Sequence, residues 1–250
     1  MLKFYCYNFT HEKTTAQIID DIKLICRRTK NLEREEDIMF FAFVPAVSLE
    51  AVCAAIPERK LVKISSQSFS LTPVSNELTP EKLKGIGADM AITGLADRRY
   101  ILGETDEMTR DRLETILNLG FKSMLCVGET RETAENGTAA ETVARQIKTG
   151  CSKIPYEAHY RIGTVYRPLW EFDGSYSADE KYTLCMLENI KTAVKETLPD
   201  FPIEMPLFYG GMLSAEKLEE YFDAGIIDGV FWDSKNISAD ELAELINKIG

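Results

Sequence analysis

Side chains that could do acid–base or anion chemistry stand just beyond several short apolar runs. Arg167 follows YRIGTVY (160–166), Asp97 comes shortly after DMAITG (89–94), Asp233 closes DGVFWD (228–233), and His11 lies just past LKFYCYN (2–8). An aspartate or histidine in such a place could move a proton, and an arginine could hold a carboxylate or phosphate through its planar fork. Pairing with arginine lowers a carboxylate pKa, which weighs against Asp97 as a base held beside Arg167. Metal chemistry has little to draw on. Only two histidines occur, His11 and His159, and the six cysteines (Cys6, Cys26, Cys53, Cys126, Cys151, Cys185) form no CxxC pair. Zinc sites and small disulfide frameworks both show close spacing, so the thiols read as reduced and mostly buried, and no metal or cofactor is expected.

The elements that must position these residues alternate along the whole chain. Besides the four runs above, IMFFAFV (38–44), KLVKISS (60–66), FKSMLCV (121–127) and MPLFYG (205–210) read as strands. All are apolar on both faces, as parallel strands covered by helices must be. Helical stripes recur between them at Ile18/Ile22/Ile25, Leu113/Ile116/Leu117, Leu184/Leu187/Ile190/Val194 and Leu242/Leu245/Ile246/Ile249. Thr79, Ser214 and Ser238 precede acidic first turns as helix caps, and Ser177 is read as the cap of a helix starting across Tyr176–Glu180. No linker interrupts the pattern, so residues 1–250 are expected to form one α/β domain, a closed (β/α)8 barrel. A doubly wound sheet is disfavoured because NFTHEKT, after the first strand, lacks the Gly-rich turn that fold uses.

Barrel enzymes carry their chemistry at the C-terminal strand ends. Arg167 is there expected to pair with Asp97 or Glu129, because a buried cation ordinarily persists only with a partner. Glu104 and Glu129 with Arg98 and Arg99 read as an ion-pair network bracing the fourth and fifth strands. His11 reads as an exposed loop residue, and His159, at the start of the sixth strand, as a bottom-rim residue serving stability.

The charge balance excludes several partner classes. With 29 Lys+Arg against 40 Asp+Glu the net charge is −11, and the basic clusters Arg27-Arg28 and Arg98-Arg99 are too short for a nucleic-acid or membrane footprint. No apolar run reaches the roughly 20 residues of a membrane helix, and the N-terminal residues do not resemble a signal peptide. A cytoplasmic protein is expected.

Four ordered motifs carry a resemblance to one family. Gly94-Leu95-Ala96-Asp97-Arg98-Arg99 with Leu102-Gly103-Glu104 resembles the Gly-His-Ser-Glu-Arg-Arg…Gly-Glu segment of triosephosphate isomerases. Cys126-Val127-Gly128-Glu129 is similar to their Cys-Ile-Gly-Glu, and Asn136-Gly137-Thr138 and Gln146 fit the stretch after it. Tyr166-Arg167-Pro168-Leu169-Trp170 resembles Tyr-Glu-Pro-Val-Trp, which opens the family's lid. Tyr209-Gly210-Gly211-Met212 resembles Tyr-Gly-Gly-Ser, and Asn8-Phe9-Thr10 is a fainter echo of Asn-Trp-Lys. The resemblance spans the chain. It implies a cofactor-free glycolytic barrel enzyme that interconverts dihydroxyacetone phosphate and glyceraldehyde 3-phosphate, with a glutamate base and a neutral histidine electrophile.

Transferred residue by residue, the base position is Arg167, the electrophile Leu95 and the family lysine Thr10. Arginine stays protonated below about pH 12, and leucine has no polar hydrogen for a developing oxyanion. The phosphate positions have also changed. The lid reads Phe172-Asp173-Gly174, the serine is Met212, and the last glycine pair is Trp232-Asp233, which leaves Gly210-Gly211 and a weaker anion contact from Ser234-Lys235-Asn236. A phosphosugar is thus a poor partner for this site. A mouth filled by Leu95, Met212, Trp232 and a paired Arg167 would exclude a phosphosugar, whereas a cleft with unpaired donors would favour new chemistry. The third loop, SFSLTPVSNEL, is shorter than the family's partner-inserting loop by about three residues and lacks a Gly-rich tip, which puts the family homodimer in question. Three readings follow. The first is an isomerase homologue with weak or absent activity, a pseudoenzyme. The second is an enzyme of different chemistry built on Asp97, Arg167 and Asp233, and the third a non-catalytic interaction protein.

Overall fold

The structure, a computed structural model, describes residues 2–29, 38–72, 77–171, 178–202 and 204–249. Its strands are β1 (Lys3–Asn8), β2 (Ile38–Val44), β3 (Val62–Ser66), β4 (Met90–Thr93), β5 (Lys122–Val127), β6 (Ile162–Tyr166), β7 (Leu207–Tyr209) and β8 (Gly229–Asp233). Between and after them run α1 (Thr15–Arg28), α2 (Ala46–Ala55), α3 (Pro80–Ile86), α4 (Asp106–Asn118), α5 (Arg131–Glu135), α6 (Ala139–Cys151), α7 (Glu180–Thr197), α8 (Ala215–Asp223) and α9 (Ala239–Ile249). The strands follow chain order in a closed barrel, the (β/α)8 architecture expected from the sequence. The chain divides into two compact units, Met1–Ala91 with Met212–Gly250 and Ile92–Gly211.

In the first unit β1 pairs in parallel with β2 and β8, setting Asn8 opposite both Phe43 and Asp233. Phenylalanines fill the space between these strands, with ring centroids 5.9 Å apart for Phe4–Phe41 and 5.1 Å for Phe43–Phe231. On the outside, α1 buries Ile18, Ile22 and Ile25, and α9 buries Leu242, Ala243, Ile246 and Ile249. Each large aliphatic side chain so buried stabilises the fold by about 1.5–3 kcal/mol. Thr14 and Gln17 close a capping box at the start of α1. α2 is apolar nearly all round and so shows no stripe in the sequence; Leu49, Val52 and Cys53 are its buried face, while Val47 is 94% exposed.

In the second unit β5, β6 and β7 pair in parallel, from Ser123↔Ile162 to Val127↔Tyr166 and from Thr164↔Leu207 to Tyr166↔Tyr209. Leu113, Ile116 and Leu117 of α4, Val143 and Ile147 of α6, and Met186, Leu187 and Ile190 of α7 are buried.

Thr79, Ser214 and Ser238 cap their helices, Ser238 in a reciprocal pair with Glu241. The cap of α7 differs from expectation. The helix begins at Glu180, and the Asp179 carboxylate accepts from Tyr182 N at 2.9 Å; Ser177 lies outside the described residues. β6 also starts later than its apolar run, because Tyr156–Arg161 form a 3₁₀ turn. His159 sits in that turn, its Nδ1 2.7 Å from Tyr156 O, rather than on the strand. Among the described residues, no helix is long and apolar enough to cross a membrane.

Candidate active site

In the first unit the C-terminal strand ends are joined by amides and hydroxyls. Asn8 Nδ2 donates to Asp233 Oδ1 at 2.7 Å, and Gln67 Nε2, just beyond β3, lies within 2.6–3.0 Å of Asn8 Oδ1, Phe9 O and Phe43 O. Ser234 N donates to Asn8 O at 2.9 Å, and Ser234 Oγ accepts from Thr10 N at 3.0 Å. Thr10 Oγ1 stands 3.1 Å from the same hydroxyl. Asp233 and Trp232 are each 1% exposed. The carboxylate of Asp233 is thus a buried structural acceptor. The 234–236 segment offers fewer anion donors than its sequence suggests, since Ser234 N is bound to Asn8 O and Asn236 N to Asp233 O. Met212 is 48% exposed. His11 is an exposed turn residue.

In the second unit Leu95 follows β4 and is buried, while Asp97, itself exposed, opens a π-helical turn, Asp97–Ile101. The turn is pinned by charge. Arg98 Nε reaches Glu104 Oε2 at 2.6 Å with Arg112 Nε 3.6 Å from the same oxygen, and Arg99 Nη1 lies 2.5 Å from Asp106 Oδ1. Arg145 reaches the other oxygen of Asp106. That network includes Glu104, as the sequence suggested, and Asp106, but not Glu129.

Glu129 is fully buried and takes neutral donors instead of cations. Its Oε1 accepts from Tyr166 OH at 3.1 Å, Trp170 Nε1 at 3.0 Å and Tyr182 OH at 2.8 Å. Burial, then the carboxylate beside it, pushes the Tyr166 phenol pKa far up, so that hydroxyl stays a donor. Gln146 fixes the preceding residue, its side-chain amide pairing with both Gly128 N and Gly128 O at 2.9 Å.

Arg167 is 5% exposed, and among the described residues no ion pair joins it to Asp97 or Glu129, in contrast to the expected pairing. Asp97 is exposed in its own turn and Glu129 is committed to phenols and indole. Two glycines flank position 167. A Cβ on Gly128 would stand 1.9 Å from Arg167 O, and one on Gly210 would stand 2.8 Å from Arg167 Cγ and 2.9 Å from Cβ. Gly210 N donates to Tyr166 O at 2.8 Å, and Gly211 is buried. Asp173, with Phe172 and Gly174, lies outside the described residues.

Chemically, a guanidinium on a clamped stem and an isobutyl group supply charge and bulk; neither can take a proton from carbon. Among the described residues no three His, Cys, Asp or Glu side chains are grouped to hold a metal ion. Sequence reading overlooked Gln67 and Tyr182. Gln67 directly follows a strand and was open to notice; Tyr182 lies 53 residues from the carboxylate it meets, with no local signal.

A (β/α)8 barrel whose candidate residues stand at strand C-termini defines the class. The family model "Triosephosphate isomerase" matches residues 4–249. The curated triosephosphate isomerase of Fusobacterium nucleatum is 26% identical over 242 residues, covering 95% of this chain and 94% of its own. That of Lawsonia intracellularis is 21% identical over 243 residues, covering 96% and 95%, and that of Pseudomonas aeruginosa 28% identical over 199 residues, covering 76% and 78%. The chain belongs to the triosephosphate isomerase family.

Proposed function

We propose that this chain is a triosephosphate isomerase homologue with weak or absent isomerase activity, a cytoplasmic single-domain pseudoenzyme. The observation that carries this reading is Arg167, buried and flanked by Gly128 and Gly210, at the position where the resemblance implies a general base. A missing base lowers rate by roughly 10²–10⁴ and a missing oxyanion donor by roughly 10²–10³. These factors need not multiply, because groups acting together are non-additive. Leu95 and Thr10 compound the loss. Asp233, held by Asn8, and Met212, out in solvent, weaken the case for phosphosugar binding and for a different chemistry based on Asp233. We propose that the shortened third loop weighs against the family homodimer.

A coupled assay with both triose phosphates tests the reading. The expected turnover is at the buffer background. Turnover within the range of an intact isomerase would overturn the proposal and would require a base other than Arg167.

A further inference from the structure

We propose that Tyr182 is a positioning residue: through Glu129 it locks Trp170 and the first turn of α7 to the end of β5. The contacts converge on one residue. Glu129 O accepts from Leu169 N at 3.0 Å, while its Oε1 takes Trp170 Nε1 at 3.0 Å and Tyr182 OH at 2.8 Å. Trp170 and Tyr182 touch edge to face, with centroids 5.8 Å apart and planes at 68°. Asp179 then caps α7 on Tyr182 N. The backbone before Trp170 can lie this close to β5 only because Gly128 has no side chain, and Arg167 N reaches Val127 O at 2.8 Å.

The chemistry of the anchor favours a fixed arrangement. Glu129 is fully buried, its Oε2 has no hydrogen-bond partner, and no cation pairs with it among the described residues. The carboxyl is therefore satisfied through the donors on Oε1, and losing one of them in a buried site is costly. Removing Tyr182 OH leaves fewer donors for the same buried group and frees the ring that lies against the indole. The lock makes Trp170 and α7 move together or not at all.

Exchange of the two tryptophan indole N–H groups in ¹⁵N-labelled protein reads this directly, because Trp170 and Trp232 are the chain's tryptophans. Tyr182→Phe is expected to speed exchange at Trp170 by about tenfold, the effect of one lost hydrogen bond, and leave Trp232 unchanged. Glu129→Gln should speed Trp170 exchange further, and Lys181→Ala, an exposed neighbour on α7, should change neither indole. Unchanged Trp170 exchange in Tyr182→Phe, with native circular dichroism, would overturn the proposal. So would equal acceleration at both indoles, which reports general destabilisation rather than a local lock.

Discussion

The two units finish their strands with different chemistry. Beyond β1, β3 and β8, Asn8, Gln67, Thr10 and Ser234 are joined mainly through amides and hydroxyls, with Asp233 accepting from Asn8. Beyond β4, Arg98, Arg99, Arg112 and Arg145 are joined to Glu104 and Asp106 through formal charge. A neutral mesh degrades gradually, because each lost bond costs about 1 kcal/mol net. An ionic mesh fails abruptly, because removing one partner strands a buried charge at about 3–5 kcal/mol. The comparison separates two kinds of robustness on one scaffold.

The largest expected effect comes from Asp106→Ala. Arg99, with 6% side-chain exposure, loses its carboxylate, and stability measured by urea unfolding should fall by about 3–5 kcal/mol. A fall below about 1 kcal/mol would erase the distinction between the units. Gln67→Ala should be milder, at about 1–2 kcal/mol, since its neutral amide leaves only carbonyls to be rehydrated. A loss equal to that of Asp106→Ala would break the comparison from the other side.

The smallest effect over accessible pH should be shared by both units. Cys6 in the first and Cys151 in the second are buried, and burial pushes both thiols up, that of Cys151 from 9.0 to about 12. The folded state therefore holds these protons where the unfolded chain releases them. The contribution is complete below pH 9.0 and is lost as pH rises toward about 12. Melting temperature should decline gradually above pH 9.0, and Cys151→Ala should reduce the slope. A flat profile in the parent protein would mean that the thiols do not carry it.

Much of the frame is legible in the residues themselves. IMFFAFV gives β2 end for end, and the hydroxyls at 79, 214 and 238 mark helix starts, because strand burial and capping are local. α2 escapes since an all-round apolar helix has no period to detect. The site was less legible. Glu129 reads as an ion-pair member with Arg98 and Arg99, yet its partners arrive from β6, the turn at Trp170 and α7. Asp179 rather than Ser177 caps α7 for a similar reason: both are good caps, and the choice depends on where the helix can begin packing.

The glycines on either side of Arg167 bear on how this lineage can change. Gly128 constrains the backbone at position 167, and Gly210 its first two side-chain carbons. Glutamate shares that unbranched stem with arginine. The two glycines thus hold the backbone and stem at position 167 in place by leaving out their own side chains, a constraint set by the neighbours and not by residue 167 itself.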